Sequence, residues 1–146
     1  MFRRCIVATF AALVGSVGVA HADAGTVPDT AYTGHYYQAH PAETFRKCVA
    51  WRESRNSTRA VSRGGHRGLY QLTPELGDGA AWMMRMDPAD PITRAKRVHL
   101  QSMPVTAWSR YWQDRAFYTV LNARYPLSGA RHWFLSGSAC NRHGGL

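Results

Sequence analysis

Two cysteines, Cys48 and Cys140, bracket the greater part of the chain, and whether they pair decides how its two ends can be arranged. The start of the sequence bears on that question. Arg3 and Arg4, an apolar stretch from Cys5 to Ala20 and the small-x-small triplet Ala20-His21-Ala22 predict an export signal over residues 1–22, cleaved so that the mature chain begins near Asp23. A membrane-anchored reading is weaker, because the stretch is short, is broken by Gly15, Ser16 and Gly18, and is followed by no stop-transfer segment. In an exported chain disulfides persist. Pairing Cys48 with Cys140 closes a loop of roughly 90 residues and restricts the unfolded chain by about 4 to 5 kcal/mol in the loop-entropy model; two buried free thiols are the alternative. What remains after cleavage suits a single domain with one core, expected to be a monomer.

Along the chain, residues 23–40 lack a clear period and read as an extended leader, with Tyr32, Tyr36 and Tyr37 available to dock on the domain. A helix is predicted from Pro41, with Glu43 in its first turn and a buried stripe of Phe45, Cys48, Val49 and Trp51. Arg55 to Arg67 reads as a polar loop, and Gly68 to Leu72 as a brief apolar return to the core. Thr73-Pro74-Glu75 opens a second helix that Gly77 and Gly79 weaken. Asp90 with Pro91 is expected to cap a third, carrying Ile92, Ala95 and Val98. The clearest helix runs from Val105 to Ala123, where Trp108, Trp112, Ala116 and Val120 recur every four residues, and Tyr125-Pro126 stops it. The predicted domain, residues 41–140, is mainly α, with a loose tail at 141–146.

Charge limits the partners. Lys and Arg number 18 against nine Asp and Glu, a formal net charge of +9; loss of Arg3 and Arg4 leaves about +7, enough to gather polyanions at the surface. The arginines are spread along the chain and no nucleic-acid motif accompanies them, so nucleic acid is not the expected partner. For an exported protein the anionic cell wall is the nearest polyanion. The long helix carries too few basic residues for a membrane-active peptide, so no stable membrane insertion is expected once the signal is gone. The histidines of the mature chain, His35, His40, His66, His99, His132 and His143, are scattered without His-Glu-x-x-His, so no metal and no cofactor is expected.

Glu53 is the candidate for chemistry. It falls near the C-terminal end of the first helix, where the helix dipole and aromatic neighbours both favour the protonated form that a general acid needs. A glutamate at a helix end is ordinarily a solvated surface residue, but the downstream pattern is specific. Glu53-Ser54 is followed by Ala60-Val61-Ser62, Gly64, Gly68-Leu69-Tyr70-Gln71-Leu72 and Pro74, a run of about 22 residues. This order resembles the signature of the soluble lytic transglycosylases: a Glu-Ser pair, then Ala-x-Ser, then Gly-Leu-Met-Gln and a Pro. A cysteine ahead of the Glu-Ser pair and another near the C-terminus is similar to the resuscitation-promoting factors, although Cys48 stands five positions before Glu53 instead of next to it.

The resemblance implies a small lysozyme-like fold with one disulfide, secreted or held at the cell wall, that cleaves peptidoglycan glycan strands. By position, Glu53 becomes the catalytic acid and base. Ser54 and Ser62 shape the polar wall, Gln71 hydrogen-bonds the substrate and Tyr70, in the place of the family's Met, lies against a sugar face. Trp82 extends that platform or belongs to the core. With one catalytic Glu the product is a 1,6-anhydro-muropeptide; an acid opposite Glu53, with Glu75, Asp78 and Asp87 as candidates, makes hydrolysis by a muramidase the better reading. The family's later Ala-Tyr-Asn segment, whose Tyr steadies the carboxylate, has no counterpart: Leu121-Asn122-Ala123 comes nearest, and Tyr111 or Tyr118 is the available substitute. A non-catalytic cationic wall-binding protein on the same fold is the alternative.

Overall fold

The computed structural model describes residues 32–34, 42–123, 129–133, 136, 139 and 140. The expected signal over 1–22, most of the leader, Tyr36, Tyr37, Tyr125-Pro126 and the tail lie outside the described residues. Those described form four helices, α1 (Ala42–Ser54), α2 (Pro74–Met86), α3 (Arg94–Gln101) and α4 (Arg110–Leu121), with 3-10 turns at Val105–Ala107 and Gly129–Trp133. Among them there is no strand, only isolated bridges pairing Val61 with Arg67 and Arg67 with Leu72. The chain is mainly helical and Cys48 and Cys140 are joined in a disulfide.

Local chemistry accounts for the helix starts. The Thr73 hydroxyl accepts from the Leu76 amide at 3.2 Å and Pro74 occupies the first turn, so α2 begins where Thr73-Pro74 predicts. The helix runs through Gly77 and Gly79, with Gly77, Ala80, Ala81 and Met84 buried. The third helix departs from expectation. Its cap is Thr93, which accepts from the Lys96 amide at 3.1 Å, while the Asp90 carboxylate pairs with Arg115 at 3.1 Å. Ile92 is buried ahead of the helix, Ala95 and Val98 are exposed, and Leu100 is what α3 buries.

The long helix is shorter than its periodicity predicts. Val105–Ala107 is a separate 3-10 turn and Trp108 sits in extended backbone, its indole N–H donating to the Leu100 carbonyl at 3.0 Å. From Gln113 to Val120 every α4 residue is buried, which makes α4 the central helix, packed against α2. Of its buried polar residues Gln113, Asp114 and Arg115 are paired, while the Thr119 hydroxyl has no hydrogen-bond partner among the described residues. The Gln113 amide accepts from Leu69 N–H at 2.8 Å and faces the Thr58, Val105 and Trp108 carbonyls at 3.0 Å each. Gly68 makes this possible: its φ is +76°, and a Cβ there would stand 2.4 Å from the Gln113 oxygen.

In α1 the buried stripe is Phe45, Val49 and Ala50, joined by Arg46 at 2% exposure; Trp51, expected in the core, is 53% exposed beneath the Arg55 guanidinium. Trp51 sits on the outer face because Arg46 and Ala50 take the inner one. Arg46 grips both Glu43 oxygens at 2.7 Å, the Tyr70 hydroxyl at 2.7 Å and Asp114 of α4 at 2.9 Å. Tyr70 donates in turn to Asp114, Tyr118 donates to Glu43 at 2.5 Å, and the Tyr32 amide reaches Asp114 at 3.3 Å. Tyr32 is 1% exposed, so that part of the leader does dock.

Burial alone would raise the Glu43 carboxyl, but hydrogen bonds from Arg46 and Tyr118 and the charges of Arg46 and Lys47 outweigh it, holding it at about 2 against an ordinary 4.5. Its stabilising contribution is therefore complete above about pH 4.5 and lost as pH falls toward 2, up to about 3 kcal/mol. Asp114 offsets part of this, since burial raises its carboxyl despite Arg46 and Tyr70. Urea denaturation midpoints across that range should fall with pH, and Glu43→Gln should flatten the fall; an equal slope in the variant would remove Glu43 as the cause.

Candidate functional site

Glu53 occupies the last turn of α1, partly buried, at the edge of a cavity of about 280 Å³, just below the usual range for ligand pockets. Three segments line it: α1 through Glu53, the 60–72 loop through Ser62, His66, Tyr70 and Gln71, and the Gly129–Trp133 turn through His132 and Trp133. The loop holds its shape through local pairs. Ser62 Oγ lies 3.2 Å from His66 Nδ1 and accepts from the His66 amide at 3.1 Å. Gln71 is in the left-handed region at φ 50°, a conformation seldom adopted by non-glycine residues, and its side-chain nitrogen donates to the Gly68 carbonyl at 2.9 Å.

Four residues singled out in the sequence, Glu53, Ser62, Tyr70 and Gln71, thus share one cavity. Two others do not line it. The Ser54 hydroxyl donates to the Ala50 carbonyl at 3.0 Å and accepts from the Ser57 amide at 3.2 Å, finishing α1. Trp82 on α2 is 50% exposed, neither core nor cavity wall. Tyr70 departs from the sugar platform expected of it: it is 1% exposed, and its hydroxyl turns inward to Arg46 and Asp114. Burial and the Asp114 charge push that phenol well above its ordinary range, so it stays protonated. The Gln71 amide nitrogen is committed to the backbone.

Glu53 is the one carboxylate among the described residues lining this cavity. Glu75 is exposed in the first turn of α2, Asp78 lines a separate cavity of about 260 Å³ beside Arg67 and Gln101, and Asp87 caps α2, its Oδ1 accepting from the Ala89 amide at 3.0 Å. Partial burial lowers the His132 imidazole from the ordinary 6.5, which favours its neutral form.

The substitutes considered for the missing tyrosine are elsewhere. Tyr118 is bound to Glu43 in the buried cluster, and Tyr111 packs edge-on against Tyr32 and Trp112. The group on the Glu53 carboxylate is Ser136, whose hydroxyl donates to Oε1 at 2.6 Å. Sequence reasoning missed it together with His66, His132 and Trp133 as neighbours of the site. One signal was present: Ser136 lies four positions before Cys140, which the disulfide ties to Cys48 on the helix that carries Glu53.

Among the described residues no group of three or more His, Cys, Asp or Glu could hold a metal ion, and no helix is long and apolar enough to cross a membrane. No family model, curated protein or solved structure matches the chain.

Proposed function

We propose that the protein is an exported, lysozyme-like enzyme that cleaves the MurNAc–GlcNAc β-1,4 bond of peptidoglycan as a lytic transglycosylase, with Glu53 as its acid and base. The observation that carries this reading is Glu53 standing as the one carboxylate among the described residues of a cavity otherwise lined by hydroxyl, amide, imidazole and aromatic groups. A glycosidase that uses water or an enzyme nucleophile needs two carboxylates across the bond. One carboxylate suffices when the substrate supplies the nucleophile.

Glu53, protonated, gives its proton to the bridging oxygen as the bond from the muramic C1 breaks. The resulting carboxylate then takes the proton from the C6 hydroxyl of the same sugar while that oxygen bonds to C1. The ring closes as a 1,6-anhydro sugar, the leaving chain keeps a new hydroxyl, Glu53 recovers its proton and no water is consumed. Exposed Arg52, Arg55, Arg59 and Arg63 around the same loop favour the anionic wall as the surface approached.

The test is to incubate the mature protein and its Glu53→Gln variant with purified peptidoglycan and weigh the released muropeptides. Products one water lighter than hydrolytic ones, made by the parent and absent with the variant, are expected. Full-mass products would assign a muramidase instead. No products from either protein, with retention on the wall that falls steeply with salt, would leave a cationic wall-binding protein.

A further inference from the structure

The part of the cavity wall formed by His132 and Trp133 belongs to a C-terminal strap, of which residues 129–133, 136, 139 and 140 are described. It is fixed on both sides of Ser136. Before it, the Trp133 indole N–H donates to the Tyr70 carbonyl at 2.8 Å and its ring packs on Phe117 at 4.5 Å. After it, Cys140 is bonded to Cys48, on the same helix as Glu53. The strap also lies close on the end of α4, where a Cβ on Gly129 would stand 2.0 Å from the Val120 carbonyl oxygen. A serine held this way has little freedom to turn from the carboxylate it meets at 2.6 Å.

We infer that Ser136 is the positioning residue of the site: its hydroxyl, presented by the disulfide-anchored strap, fixes the rotamer of Glu53 so that the second carboxylate oxygen faces the cavity. The inference rests on the reading of Glu53 as acid and base. A hydroxyl donating to a carboxylate orients it without joining the proton transfer, since the transferred proton travels on the other oxygen. The role matters because misplacing a catalytic group by a fraction of an ångström costs rate and leaves binding intact. His66 and His132 line the cavity and Arg52 and Arg55 flank Glu53 in the chain, but none of them makes a hydrogen bond to it among the described residues.

The test compares Ser136→Ala and Ser136→Thr in the full mature chain. One readout is independent of catalysis: the side-chain carboxyl carbon signal of Glu53 in a carbon-13 spectrum at pH 7, identified by its loss in Glu53→Gln. That signal should move in Ser136→Ala and return in Ser136→Thr. In the cleavage assay Ser136→Ala should lower kcat about tenfold with KM within about twofold, and Ser136→Thr should restore most of it. An unmoved signal in Ser136→Ala, or a kcat equal to the parent's, overturns the assignment. A signal that moves and returns in a protein that cleaves nothing supports the positioning contact and sinks the proposed reaction, so the two failures are distinct.

Discussion

Replacing Arg46 with methionine is expected to cost about 3 to 5 kcal/mol of folding stability, a large share of the roughly 5 to 15 kcal/mol that holds a domain together. Methionine keeps much of the aliphatic length, so the loss is not chiefly a cavity. It comes from what is left behind: Glu43 at 11% exposure and Asp114 at 0% would lose their buried cation and keep only more distant, more exposed ones, Lys47 at 3.4 Å and Arg110 at 3.7 Å. Tyr70 and Tyr118 would still donate to them, which hydrogen-bonds the charges without neutralising them. Urea denaturation monitored by tryptophan fluorescence measures the loss, and adding Asp114→Asn and Glu43→Gln to the variant should recover part of it. A loss below about 1 kcal/mol would mean the cluster is only a polar filling. Because Tyr70 also lines the Glu53 cavity, the variant is expected to loosen that wall as well.

What the sequence made legible follows from distance along the chain. Helix starts at Thr73-Pro74 and the punctuation around Pro91 are local signals, and the helices are found within a few residues of them. The gathering of Ser62, Tyr70 and Gln71 with Glu53 was readable because it falls inside one short motif. Arg46 was not readable: an arginine on α1 is ordinarily solvated, and only Asp114, 68 positions away, gives it a reason to be buried. Trp51 differs from expectation for the complementary reason, since a large apolar side chain at helical spacing is expected inside, yet it is 53% exposed. The cap of α3 is Thr93 and not the expected Asp90, whose carboxylate is engaged by Arg115 from α4. Ser136 lies 83 positions from Glu53, and the closed disulfide together with the Trp133 anchor brings the two together.

That dependence makes the disulfide the second large effect. Cys48→Ser with Cys140→Ser is expected to lower stability by about 4 to 5 kcal/mol, the loop-entropy value for a closure spanning most of the domain. Entropy of the unfolded chain is only one part. In the folded protein the bond is the last anchor on the strap, and without it Trp133 and its packing on Phe117 must hold His132 against the cavity and Ser136 against Glu53. Equilibrium denaturation of the oxidised parent and the double-serine variant gives the first quantity. Hydrogen exchange at the Trp133 indole N–H, which donates to Tyr70, gives the second. A variant that is less stable globally but equally protected at that indole would show a disulfide acting through the unfolded chain alone. Faster exchange there under conditions where α4 remains protected would show the strap opening by itself, and with it a route by which a reducing environment releases the cavity wall beside Glu53 while the helical core stays folded.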